Sequence, residues 1–478
     1  MGFIKKIKAE YAAAGAAIFI LAYILMLRPI IGVADNGDFP RIMGSTGLQY
    51  LTGDYAERYF GFVNRQYRVG LVLPMGGGYF STEIIMVGIA VLLSQALWST
   101  GIFDIRYLAF LYSIIFVTAI FLIVRYNRKR LGAASWLLAG LLVVVFADIG
   151  YISYFNSLYG EAVSLVFLLL TAGSGMYLVL QDRPRVWMLA VFFLSAAFFT
   201  GAKVQNCPAG ILAALLGLRF LKLGDGRLWR RTALLGITAL VAVAFVTYAF
   251  VSRDIKVCNK YQTVFFGILK DSPDPAGDLA ELGMDPDLAV LAGTNYFMES
   301  YPVDIRSNAF KNRLYESVDP FKIAGFYLRH PGRFMEKLGV AAQNAFKLKQ
   351  GFGNYEKYEG VEYRQTADIF GLWSDLKMKA LPHSLPFIAL FFTGCFSALV
   401  FEYIRNRNTR ARLYVELIGF IGAIGLLQLA IPVIGDGEAD LSKHLFLFNA
   451  AFDGMFIAAA VYLAHRLGGI VRTLVRPR

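Results

Sequence analysis

Charge is scarce in this chain. Asp, Glu, Lys and Arg make up 17% of its 478 residues, against 57% hydrophobic and 15% aromatic, and mean hydropathy is +0.53. So low a charge density is far from a soluble average and leaves a polytopic membrane protein as the class. Cysteine is scarcer still: Cys207, Cys258 and Cys395 stand far apart without metal-ligand spacing, so no bridging or catalytic role is expected of them. No clear internal repeat is present, which counts against the duplicated halves typical of transporters. A small-x-small cleavage site is missing ahead of Asp35, and Lys6 stands where a myristoylation signal needs Ser or Thr. Neither a cleaved signal peptide nor acylation at Gly2 is expected.

The charge that is there reports topology. The net +13 comes from short basic clusters at the ends of apolar runs, which is the positive-inside pattern and argues against nucleic acid as a partner. Lys5, Lys6 and Lys8 precede an apolar run at 11–31, and Arg125, Arg128, Lys129 and Arg130 close another at 106–125. Further runs at 133–150, 162–180, 187–202, 208–221, 232–251, 385–404, 413–433 and 445–464 bring the expected spans to about ten. Basic turns at Arg183 and Arg185, Arg219 to Arg231 and Arg405 to Arg412, with the tail Arg466, Arg472, Arg476 and Arg478, put both termini in the cytoplasm. Counting spans places 33–105 outside as the first external loop, with the apolar stretch 83–98 as a helix lying on the outer surface. It also makes 252–382 an external loop domain between an N-terminal membrane module, 1–251, and C-terminal membrane helices, 383–478.

This topology collects polar residues on one rim. They are Asp35, Asp38 and Arg41; Arg65 and Arg68; Asn156, Tyr159 and Glu161; Lys203, Gln205 and Asn206; and Asp436, Glu438, Asp440, Lys443 and His444. An ionisable group at a helix centre costs about 2.5–3.5 kcal/mol, so crowding at one interface points to a site. Each group also has a plainer reading. Asp35 and Asp38 fit a turn with Gly37 and Pro40, Asn156–Glu161 fits a helix start, Lys203 fits a snorkelling residue, and Gly435–Asp440 fits a solvated loop. Asp453, well inside the last span, needs a partner: Asn449 or a base on another helix.

The chemistry that fits is glycosyl transfer from a polyprenyl-phosphate sugar, with the tail between helices, the phosphate on cations and a base for the incoming hydroxyl. Arg41, Arg65, Arg68, Lys203, Lys443 and His444 are the candidate cations. The chain resembles the GT-C superfamily of integral-membrane glycosyltransferases over nearly its whole length. Asp38-Phe39-Pro40-Arg41 is similar to the Asp-Glu-x-Arg pattern of many bacterial members, with Phe39 in place of the Glu. The combination of Asp35-Asn-Gly-Asp-Phe-Pro-Arg41, Phe155-Asn-Ser-Leu-Tyr-Gly-Glu161 and Gly435-Asp-Gly-Glu-Ala-Asp-Leu-Ser-Lys-His444 is also similar to hexose transferases of bacterial surface-layer glycan assembly.

The resemblance implies an all-α membrane fold with external juxtamembrane helices, in the bacterial cytoplasmic (inner) membrane, with an extracytoplasmic active site. Asp38 would be the base or acceptor-orienting acid, Asp35 a second acid, and Lys203 and Lys443 the phosphate ligands. Asn156, Tyr159, Glu161, Gln205, Asn206, Asp436, Glu438 and Asp440 would line the sugar or acceptor. The donor would be a polyprenyl-phosphate hexose and the acceptor a glycan or lipid-linked glycan. Clustered carboxylates permit a divalent metal without requiring one. A transporter or flippase for a lipid-linked or anionic solute is the alternative, and a non-catalytic sugar-binding scaffold the third.

Overall fold

The computed structural model describes residues 7–72, 80–349 and 351–475. Lys5, Lys6, Arg476 and Arg478 of the expected basic ends, and the side chain of Arg472, lie outside the described residues. Among the described residues, eight helices are long and apolar enough to cross a bilayer: Ala9–Met26, Arg106–Leu131, Glu161–Leu180, Val204–Leu223, Arg227–Ala249, Leu385–Arg405, Thr409–Asp436 and Phe446–Gly468. Ala134–Phe146 and Ile149–Asn156 add a ninth as one span bent by 54°. The remaining expected span, 187–202, is the helix Val186–Gly201, whose 16 residues reach about 24 Å, short of the ~30 Å hydrocarbon. It nevertheless runs from the end of the bundle that carries Gln181 to the end that carries Lys203. Among the described residues the expected ten thus resolve into eight long helices, one bent pair and this one shorter apolar helix.

Helix Glu161–Leu180 is the axis: 89% of its apolar window is buried, against 11% for Leu385–Arg405 at the periphery. Its small residues allow that. A Cβ on Gly173 would sit 3.1 Å from the Ala119 carbonyl and one on Gly175 2.9 Å from Leu417, so neighbouring helices approach at glycine distance. One end of the bundle is arginine-rich. There Glu10, fully buried, meets Arg125 at 3.0 Å, Arg219 pairs with Glu416 at 2.7 Å, and Arg410 donates to the Asp182 carbonyl at 2.8 Å.

The opposite end carries all the long connections. The first of them departs from an all-helical expectation, because strands Leu48–Tyr50, Gln66–Val69 and Ile102–Asp104 form a small antiparallel sheet over the buried Tyr67 and Phe103. The long segment 252–382 is a set of short helices started by Ser252, Asp274, Ser307 and Asp319, each accepting from amides of the first turn. It is fastened to the first connection at Asn354–Tyr355, which pairs antiparallel with Ile31–Gly32, and at Glu356, which holds Arg28 at 2.9 Å and Arg65 at 3.0 Å.

The same segment enters the bundle at Leu372–Ala380. Asp148, at the 54° bend, accepts from Gly150 N at 2.9 Å with one oxygen and from Trp373 N and Ser374 N at 2.9 and 3.0 Å with the other. The bend is therefore made where one carboxylate caps two helix starts at once. Behind it Lys377, fully buried, gives Asp453 the partner its position demands: Nζ lies 2.9 Å from Asp453 Oδ1 and 2.6 Å from Asn449 Oδ1. Tyr151 Oη and Trp373 Nε1 donate to the other Asp453 oxygen at 2.5 and 2.9 Å. The base on another helix is the expectation that holds for Asp453: Lys377 sits on Leu372–Ala380 of the long segment, and Asn449 meets Asp453 only through that shared lysine.

Candidate functional site

The loop after the first span is built by Asp35. Its Oδ1 accepts from Gly37 N at 2.7 Å and Phe39 N at 3.1 Å, and its Oδ2 accepts from Tyr50 Oη. Gly37 has φ +101°, a conformation glycine adopts without strain, and Pro40 opens the helix Pro40–Thr46. Asp35 is fully buried. Burial pushes its carboxyl above the usual range, opposed by the Tyr50 hydroxyl and the Phe39 and Gly37 amides. The turn reading of Asp35 is the one its surroundings support, because both its oxygens are engaged, Oδ1 by two amides of the turn and Oδ2 by Tyr50 of the adjoining strand.

The turn leaves Asp38 facing the other way. Its carboxylate lies 2.6 Å from Lys443 Nζ and, one helical turn on, 3.1 Å from the Arg41 guanidinium, with 30% of its side chain exposed. Burial raises its pKa, but Lys443 and Arg41, with Lys203 farther off, outweigh that and hold it well below the ordinary carboxylate range. Lys443 is correspondingly raised: burial lowers it, and the fields of Asp38 and Glu161 win. Its Nζ also sits 4.3 Å above the centroid of the Tyr159 ring, a cation–π contact.

Asn36 completes this cluster. Its amide satisfies all its neighbours with the nitrogen toward Tyr159 Oη (2.7 Å) and Asp38 Oδ2 (3.2 Å) and the oxygen accepting from Lys443 Nζ (3.2 Å). Beside it Lys203 meets Glu161 at 2.6 Å, the acid being only 2% exposed at the start of the axial helix. Three cations, Lys443, Arg41 and Lys203, thus face two carboxylates, Asp38 and Glu161, leaving one positive charge in excess.

Lys443 is delivered by a tightly specified loop. Helix Thr409–Asp436 ends at Gly437, whose φ of +63° and 2.6 Å clearance from the Gln262 carbonyl leave no room for a Cβ. Asp440 takes a left-handed φ of +43°, and its carbonyl accepts from Lys443 N at 2.9 Å and His444 N at 3.0 Å. Glu438 is clamped by Lys337 at 2.7 Å and by Lys270, and His444 Nε2 lies 2.9 Å from Asp436. Gln205 donates to the His444 carbonyl at 3.2 Å, tying this loop to the Lys203 turn.

Sequence distance therefore collapses for Asp38, Arg41, Tyr159, Glu161, Lys203 and Lys443, with Gln205, Asp436 and His444 adjacent. Other expected members stand elsewhere. Arg65 is engaged by Asp104 and Glu356, and Arg68 is exposed on its strand. Asn156 is buried, donating to the Leu25 and Ile31 carbonyls at 3.0 and 2.8 Å, where it fixes the end of the first span. Asn206 is buried on Ser164 and Phe199, Glu438 belongs to the clamp, and Asp440 points its side chain to solvent. Asn36, inside the Asp35–Asp38 stretch, joins the centre as well, and Tyr50 carries no sequence signal, since only the sheet register brings it back.

Among the described residues, no group of three or more His, Cys, Asp and Glu side chains is arranged to hold a metal ion. Asp38 and Glu161 are each paired with a lysine, Glu438 with two, and Asp35 is held by two amides and the Tyr50 hydroxyl. Two apolar grooves open away from this site. One, of about 680 Å³, is lined by Phe392, Phe396, Val400 and Ile404, and the other, of about 380 Å³, by Leu93, Leu97 and Phe110.

Fold and site together define a helical polytopic membrane protein with a cation-rich acidic centre at one end of its bundle. The chain belongs to the family of the YfdI N-terminal transmembrane domain, whose model matches residues 2–474. It is similar to the uncharacterized protein YfdI of Escherichia coli (strain K12), at 23% identity over 372 residues, 77% of this chain and 78% of that protein. Among solved structures, the archaeal oligosaccharyltransferase AglB from Archaeoglobus fulgidus, in complex with an inhibitory peptide and a dolichol-phosphate, matches at 12% identity with a TM-score of 0.41. The Archaeoglobus fulgidus oligosaccharyltransferase in the apo form matches at 10% identity, also with a TM-score of 0.41. Both matches cover 100% of this chain, which spans about half, 53%, of the length of each.

Proposed function

We propose that this chain is a membrane glycosyltransferase of the GT-C type, moving a hexose from a polyprenyl-phosphate donor to a hydroxyl of an envelope glycan or lipid-linked glycan, on the extracytoplasmic side. The observation that carries this reading is the arrangement of Asp38, a part-exposed carboxylate, against Lys443, Arg41 and Lys203 where spans meet the interface. A polyprenyl-phosphate sugar is a phosphodiester with one negative charge, and Lys443, Arg41 and Lys203 outnumber by one the two carboxylates they pair with, Asp38 and Glu161.

In this reading the donor phosphate sits on Lys443 and Lys203, and the acceptor hydroxyl faces Asp38. The hydroxyl oxygen forms the new bond to the anomeric carbon as the bond from that carbon to the phosphate oxygen breaks, the leaving phosphate taking the electron pair. Asp38 takes the hydroxyl proton. Attack opposite the leaving group inverts the anomeric centre. Tyr159 and Glu161 position the lysines, and Asp35 positions Asp38 through the turn.

The test is transfer itself. The full chain, purified into nanodiscs and given a polyprenyl-phosphate hexose with envelope glycan fragments, is expected to release polyprenyl phosphate and glycosylate the fragment. Near-normal transfer by Asp38→Asn would remove the proposed base.

A further inference from the structure

The Asp38–Lys443 pairing contains a conflict. A general base works best with a pKa near the operating pH, yet Asp38 is tied at 2.6 and 3.1 Å to two cations and held far below it. The same Lys443 nitrogen is needed by the donor phosphate. One cation is claimed by two anions.

The two lysine–carboxylate pairs differ in what they can release. Glu161 is 2% exposed on the first turn of the most buried helix, so removing Lys203 would strand a buried charge; that pair stays closed. Asp38 is on a loop with 30% of its side chain open, and Arg41 and the Asn36 amide remain beside it when Lys443 leaves. Lys443 likewise keeps the Tyr159 ring beneath it. The Lys443–Asp38 pair is the one that can open, because Asp38 keeps Arg41 and a phosphate would keep the buried Lys443 nitrogen paired.

Resting on the glycosyltransferase reading above, we propose that Lys443 changes partner during turnover, holding Asp38 in the empty site and the phosphate once the donor is seated, so that Asp38 acts as base only in the loaded enzyme. The exchange follows the charge. As the acceptor proton neutralises Asp38, the leaving phosphate gains the negative charge that Asp38 loses, and Lys443 stands between the two throughout. A free acceptor alone finds no competent base, which orders the reaction donor first.

Farnesyl phosphate, a short polyprenyl phosphate, tests this by calorimetry on the full chain in nanodiscs. If Asp38 and the phosphate compete for Lys443, then Asp38→Asn binds farnesyl phosphate about threefold to tenfold more tightly than the unaltered chain, while abolishing transfer. Lys443→Gln binds about tenfold more weakly, and in that background Asp38→Asn gives less than about a twofold gain. A gain of full size in the Lys443→Gln background would mean simple repulsion of the phosphate by Asp38, and no gain in Asp38→Asn would mean no competition; either overturns the exchange. If farnesyl phosphate binds equally to the unaltered chain, Lys203→Gln and Lys443→Gln, the donor-phosphate reading falls with it. Weaker binding in both lysine variants without a gain in Asp38→Asn sinks the exchange alone. Monodisperse elution of each variant guards against misfolding.

Discussion

Asp35 and Asp38 are three positions apart and do unlike work, and substitution should separate them. Asp35→Ala would leave the Gly37 and Phe39 amides and the Tyr50 hydroxyl without their acceptor in a buried turn, a loss of about 2–4 kcal/mol read as a lower unfolding midpoint in detergent. Asp35→Asn keeps an acceptor for the amides and is expected to retain most transfer. Asp38→Asn is the reverse case: a small stability change, about 1 kcal/mol or less because the pair is part-exposed, and a loss of transfer of roughly 10²–10⁴-fold. The pH sign follows from Asp38. Its folded pKa is depressed by Lys443 and Arg41, so the pairing contributes in full above the unfolded carboxylate value near ~4 and is lost only as pH falls below that. The difference in unfolding midpoint between the unaltered chain and Asp38→Asn should therefore be the same at about pH 5.5 as at about pH 7.5.

At the scale of elements, helices were readable wherever burial in lipid demands an unbroken apolar run, which is why the spans emerge from hydropathy alone. What escaped depends on partners far along the chain. The bend at Asp148 exists because residues 373 and 374 bring amides to its second oxygen, and nothing in the stretch 133–150 announces that. The site divides the same way. The Asp38–Arg41 pair is one helical turn and is legible in sequence, whereas Lys443 reaches Asp38 only because Glu438, clamped by Lys337, and Gly437 fix its loop. Lys377 shows the energetic stakes of such distant partners. Lys377→Met would leave the buried Asp453 uncompensated and is expected to cost about 3–5 kcal/mol, while Lys377→Met with Asp453→Asn should recover much of that loss in thermal unfolding.

At the scale of the whole molecule, the two ends of the bundle are chemically opposite. One gathers Arg125, Arg128, Arg219 and Arg410 in short turns, the pattern that holds a loop in the cytoplasm. The other carries the first connection, the 252–382 segment and the Asp38–Lys443 centre. If the arginine end is cytoplasmic, every site residue faces outward, where the proposed lipid-linked donor would meet an envelope acceptor. Sidedness is therefore the decisive global measurement. With Cys207, Cys258 and Cys395 replaced by Ala, single cysteines at the exposed Ala56 and Arg407 report the two ends separately. In right-side-out vesicles a membrane-impermeant maleimide should label Ala56→Cys at once and Arg407→Cys only after permeabilisation. The opposite result would put the carboxylate and its cations in the cytosol. An extracytoplasmic transferase would then have no site.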